Sequence, residues 1–224
     1  MEIQKSEPPE YSGFSRRNDE LRSLVSKKNL QELAYNTGGA SHPEQNILEI
    51  LFWDRSVLIS FPSLEICDMK SQQVLPEFSQ AMILYYLHLA DGSPISGRWV
   101  SFAELPDGRF YQNAFQGYTG QMLAREIGNH LEGFEKVART LNAQKAQLGH
   151  ASYIFQALPK VPLLVILWQG DEDFPASFQI LFDDTAHHFL PADGCAILGS
   201  ILTRKIISKY QADFGHLTTS TKKL

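Results

Sequence analysis

Apolar residues recur near helical spacing at Leu21, Leu24, Val25, Leu30 and Leu33, which predicts an amphipathic helix over residues 19–36. Asn18 or Asp19 suits its start and Gly38-Gly39 its end. A denser apolar run then leads to Asp54-Arg55 and another leads away (Ile47 to Phe52, Val57 to Phe61), the pattern of a hairpin. A third short strand is expected over 64–67. Pro76 fits the first turn of a helix, where its missing N–H costs nothing. That helix carries Phe78, Ala81, Met82, Leu84, Tyr85, Leu87, His88 and Leu89. It is apolar almost all round and is expected to be buried.

Two further helices are predicted over 120–127 and 130–142. Strands follow over 152–158, 163–168 and 178–182, with Pro159-Lys160-Val161-Pro162 as the turn between the first two. A last helix is expected from Asp193 to Tyr210. Hairpins separated by helices indicate an α+β fold with a mainly antiparallel sheet. A buried central helix and a C-terminal helix packed on it would complete it. Polar residues flank this pattern. The expected organisation is a tail over 1–17, one domain over 18–210 and a second tail over 211–224.

Composition narrows the function classes. The chain has 224 residues, 43% of them hydrophobic, enough for a substantial core. Its formal charge of -5 argues against nucleic acid, whose phosphates need a basic surface. There is no apolar segment of signal-peptide type near the start, and no apolar run of membrane-spanning length. The expectation is a cytoplasmic protein with neither a nucleic-acid nor a membrane partner. Cys67 and Cys195 are the 2 cysteines, and they have no C-x-x-C spacing. The phosphate-loop, dinucleotide, nucleophile-elbow and H-E-x-x-H motifs are absent from the sequence.

Three stretches, LYYLHLADGSPISGRWVSFAELPDGRFY (84–111), VPLLVILWQGDEDFP (161–175) and ILFDDTAHHFLPADGCAILGSIL (180–202), resemble a domain-of-unknown-function family of anaerobic bacteria and archaea. The resemblance covers residues 20–210. It implies a link to corrinoid or one-carbon metabolism and a corrinoid or iron–sulfur protein as partner. Some members carry an additional iron–sulfur segment, which this chain lacks. The chain also has Asp193-Gly194 where Glu-Asp is expected.

Four groups of residues are candidates for chemistry. Asp171, Glu172 and Asp173 follow Gly170 at a strand end. They suit a hard cation, or simply a solvated turn. Asp183, Asp184, His187 and His188 combine carboxylate and imidazole, the donor set of a divalent transition metal. Neighbours on an extended strand face opposite ways, so both histidines can share a metal only on a loop. Alternatively, these groups bond locally. Cys195, in the first turn of the last helix, is a candidate nucleophile activated by the helix dipole, or a small core residue. The aromatics of 98–118 (Trp99, Phe102, Phe110, Tyr111, Phe115, Tyr118), with Arg98, Glu104 and Arg109 between them, describe a cofactor wall or a loop pinned to the core. Arg98, Trp99 and Tyr111 would bind a flat ligand such as a tetrapyrrole, with His88 as its axial ligand. Alternatively, His88 is a satisfied buried histidine on its apolar helix.

Three functions follow as expectations. The first is an accessory or cofactor-binding protein without turnover. The second is a metal-dependent enzyme with Asp171, Asp183 and His187 as ligands and Glu172 as general base. The third is an interaction module, with a homodimer among its forms.

Overall fold

The computed structural model describes residues 11–218, and side chains over 16–215. It has helices and antiparallel sheets, and so the α+β class that the sequence predicts. The chain divides into two compact units that meet at Gly92 and Ser93, where one domain over 18–210 is the sequence expectation.

The first unit contains α1 (Tyr11–Val25), α2 (Leu30–Thr37), β1 (Ala40–His42), β2 (Ile47–Phe52), β3 (Arg55–Ser60), β4 (Glu65–Asp68) and α3 (Glu77–Leu89). Its four strands form one antiparallel sheet in the order β1-β2-β3-β4. Alternation along β2 and β3 buries Leu48, Ile50, Val57 and Ile59, as a sheet covered on one face requires. The pattern predicts one helix over 19–36, but the chain breaks after Val25. The reason is Asn29, whose side-chain oxygen accepts from the N–H groups of Gln31 and Glu32 and so starts a new helix. Gly38 ends that helix at φ 70°, a left-handed conformation that glycine adopts without penalty. α3 is buried over most of its surface, as expected. Tyr86 on α3 donates to the Thr37 carbonyl at 2.6 Å, tying α3 to the end of α2.

The second unit contains β5 (Trp99–Ser101), α4 (Gln112–Tyr118), α5 (Gly120–Ile127), α6 (Leu131–Thr140), β6 (Gln144–Ala146), β7 (Ala151–Leu158), β8 (Val161–Trp168), β9 (Ser177–Asp183) and α7 (Ala192–Thr218). Its antiparallel sheet runs β5-β9-β8-β7-β6. β8 is central and buried from Val161 to Leu167. Pro162 is tolerated there because it lies near the strand start, opposite a register shift at Gln156 to Leu158. α7 packs against α4, α5 and α6.

The tail expectations are altered at both ends: α1 starts at Tyr11 and α7 reaches Thr218. The rest of those tails, 1–10 and 219–224, lies outside the described residues. Among the described residues no helix is long and apolar enough to cross a membrane.

Candidate functional site

The aromatic stretch after β5 does two different jobs. Glu104 accepts from the backbone N–H and the hydroxyl of Ser101, both at 2.7 Å, a capping box that starts a 3-10 turn at Phe102. This turn sends Phe102 inward. Phe102 stacks on Phe115 of α4 with ring centroids 4.4 Å apart, and Phe182 of β9 lies beside both. These rings are core. Phe110 and Tyr111 stay at the surface, 89% and 65% exposed.

Between the two groups lies a cleft of about 650 Å³. Phe102, Tyr111, Ala114 and Tyr118 form one wall, and the first turns of α7 form the other with Pro191, Ala192, Ala196 and Ile197. Its volume and apolar lining are those of a small-molecule site. Ser200, Asp107 and Asp193 add polar groups. Asp107 stands in the turn Pro106-Asp107-Gly108 at φ 63°, a left-handed conformation that Asp adopts more readily than most residues. The turn is pressed against the Phe102 carbonyl, where a Cβ on Gly108 would lie only 1.8 Å from the oxygen. Asp193 accepts from the Gly194 N–H at 2.8 Å in the first turn of α7. Neither carboxylate has an ion-pair partner among the described residues. Burial raises the Tyr118 phenol above its ordinary pKa, so it stays a neutral hydrogen-bonding group.

Of the residues expected to hold a cofactor, only Tyr111 lines this cleft. Trp99 pairs with Asp183 in the β5–β9 ladder. Arg98 donates to Asp184 through Nε and Nη2, both at 2.6 Å. His88 belongs to α3 in the first unit. Its Nδ1 is buried without a hydrogen-bond partner, and burial, then the charges of Lys28 and Arg17, holds its pKa below the ordinary value. Among the described residues the cleft lining holds no imidazole, thiol or thioether. It therefore does not fit a tetrapyrrole anchored through an axial nitrogen or sulfur ligand.

The expected metal ligands are placed apart. Asp171 lies in the loop before β9 and Asp183 at the far end of that strand. The six residues of strand between them span about 20 Å. Asp171 accepts from the N–H groups of Asp173 and Phe174, each at 2.9 Å. These bonds, the one from Phe174 foremost, lower its pKa. Asn129 clamps the same turn by accepting from the Gly170 N–H at 2.7 Å. Glu172 is exposed in this turn.

Asp183 is fully buried and its oxygens are occupied by donors. The N–H groups of Ser96 (3.1 Å), Gly97 (2.7 Å) and Thr185 (3.1 Å) all point to it, with the Thr185 hydroxyl at 2.6 Å. Burial pushes this carboxyl up, but Thr185, Ser96 and Gly97 outweigh it and leave the group below the usual carboxylate range. The Ser96 hydroxyl sits between Asp183 and Asp184. Its bond to Asp184 and that of Arg98 lower the Asp184 pKa as well. Asp183 and Asp184 thus hold the segment 96–98 against β9.

His187 Nδ1 lies 2.7 Å from the Asp184 carbonyl. A carbonyl only accepts, so Nδ1 carries a proton. His188 Nδ1 lies 3.3 Å from the Ser93 hydroxyl, and the two imidazoles touch at 4.3 Å between centroids. Among the described residues, no group of three or more His, Cys, Asp or Glu side chains is arranged to hold a metal ion.

Cys195 is 1% exposed. Burial foremost, then Asp193, pushes its thiol up to about 12. A thiolate nucleophile needs the opposite shift, so the dipole of α7 does not activate it.

No curated protein and no solved structure matches the chain. A family model described as a domain of unknown function, DUF3786, matches residues 29–205. It spans both units and every candidate residue named above, and the chain belongs to this family.

Proposed function

We propose that this is a small-molecule-binding accessory protein, cytoplasmic and without turnover of its own. The carrying observation is the aromatic-walled cleft of about 650 Å³ beside the start of α7. A catalytic site needs a nucleophile, acid or base poised beside bound substrate. Of the polar groups lining the cleft, the carboxylates and phenols could move protons, but among the described residues none is hydrogen-bonded to the Ser200 hydroxyl to activate it as a nucleophile. That composition favours holding a ligand over transforming it. A place beside a corrinoid or iron–sulfur protein in anaerobic metabolism, which the family resemblance implies, is part of this proposal and suits a carrier of this kind. The metal-dependent alternative draws less support, because its ligands lie at opposite ends of β9.

Binding is tested with N-phenyl-1-naphthylamine, a neutral dye that brightens in apolar sites. The wild-type protein is expected to take up one dye per chain, saturably. Ala196→Trp fills the cleft from the α7 wall and should abolish uptake while leaving the circular dichroism spectrum unchanged. A dye signal that does not saturate, or that survives in Ala196→Trp, contradicts the reading.

A further inference from the structure

The charge of the cleft narrows the ligand class. Its walls are apolar, and among the described residues the charged side chains in its lining are Asp107 and Asp193. They approach from separate elements, one from the turn after Phe102 and one from the first turn of α7. Among the described residues no lysine, arginine or histidine contributes to the lining. An anionic ligand would bring a charge toward two carboxylates with no cation to receive it. A cationic ligand gains both of them, and the lining rings of Tyr111 and Tyr118 add aromatic groups that can attract a positive charge.

We infer that the cleft takes an organic cation, a protonated amine or quaternary ammonium on an apolar or aromatic body. This rests on the small-molecule reading above. The apolar body lies along Ala114, Ala196 and Ile197, and the cationic group is received by Asp107 and Asp193. Haem, with its two propionates, is disfavoured on charge as well as on axial ligands.

Three probes of similar size separate charge from shape: phenylpropylamine, phenylpropanol and phenylpropanoate, each used at neutral pH to displace the naphthylamine dye. Exposed ion pairs and cation–π contacts are individually weak. The amine is therefore expected to bind about five to ten times more tightly than the alcohol, and the carboxylate more weakly than either. Added salt should shrink that preference. The double variant Asp107→Asn, Asp193→Asn should bind the amine and the alcohol alike. Both substitutions keep the local geometry, since Asn tolerates the left-handed conformation and its side-chain oxygen can still accept from Gly194.

Equal displacement by all three probes in the wild type overturns the cation assignment and leaves small-molecule binding standing. So does a preference for the amine that persists in the double variant. If the dye and all three probes fail to bind, both readings fall. A second copy covering the cleft would produce that result together with a doubled mass in sedimentation.

Discussion

Phe115→Ala is expected to destabilise the second unit by about 4 kcal/mol, the range for removing a large ring from a packed core. Phe115 is 1% exposed. It stacks on Phe102, lies 5.8 Å from the Phe182 ring and meets Tyr118 edge-on at 5.7 Å. Its other edge packs against α7 at Gly199, where an added Cβ would come within 2.6 Å of the ring. No neighbour can collapse into the space, because Phe102 and Phe182 are held by a capping box and by the sheet. The same ring backs the wall of the cleft that carries Phe102 and Tyr118. Dye uptake should therefore weaken in the variant even under conditions where it is folded. Urea unfolding followed by near-ultraviolet circular dichroism measures the loss. A change under 1 kcal/mol would show that α4 does not depend on this packing.

Asp183→Ala should cost about 3 kcal/mol, because it removes a buried carboxylate that accepts several charge-assisted hydrogen bonds at once. The N–H groups affected are those of Ser96, Gly97 and Thr185. Segment 96–98 loses its anchor, and its amide hydrogens should exchange faster with solvent. The pH dependence follows from the lowered pKa of the buried carboxyl. Its contribution is fully present above the unfolded value near 4. It is lost as pH falls through the lower folded value, since protonation then favours the unfolded chain. The wild type should lose stability below about pH 4, and Asp183→Ala should lose less over the same interval. An acid limb identical in the two proteins would contradict the role given to Asp183.

The long elements were legible because burial imposes a period on them. β2, β3, β7 and β8 carry apolar runs or alternation, and α3 and α5 begin and end close to where pattern and turn residues put them. The three-residue strands β1, β5 and β6 are too short for a period to show. They exist because a neighbouring strand offers hydrogen bonds. The C-terminal extension of α7 has a similar origin. Phe214 meets His130 at 4.9 Å between rings, and Lys136 lies over its face at 4.9 Å. Those partners are remote in sequence, so residues after Tyr210 resemble a tail until the fold assembles.

The candidate site was partly legible. Aromatic density over 98–118 led to Tyr111, but it could not sort core rings from cleft rings. That division depends on the capping box at Ser101 and Glu104, which turns Phe102 and not Phe110 inward. Asp107 and Asp193 were missed as cleft-lining groups. Pro106-Asp107-Gly108 signals a turn and nothing about what the turn faces. Asp193 was visible only as a departure from the family pattern. The acidic and histidine segments drew attention because they are close in sequence. Sequence distance misled here, because β9 lies between them and carries them to its two ends.

The most direct test of the account is a methyl-resolved NMR titration of the protein with N-phenyl-1-naphthylamine. The predicted result is a saturable set of shifts confined to methyl groups of Ala114, Ala192, Ala196 and Ile197, with those of Val57 and Ile59 in the first unit unchanged. Shifts centred anywhere else, or spread evenly over both units, would contradict a ligand site between α4 and the start of α7.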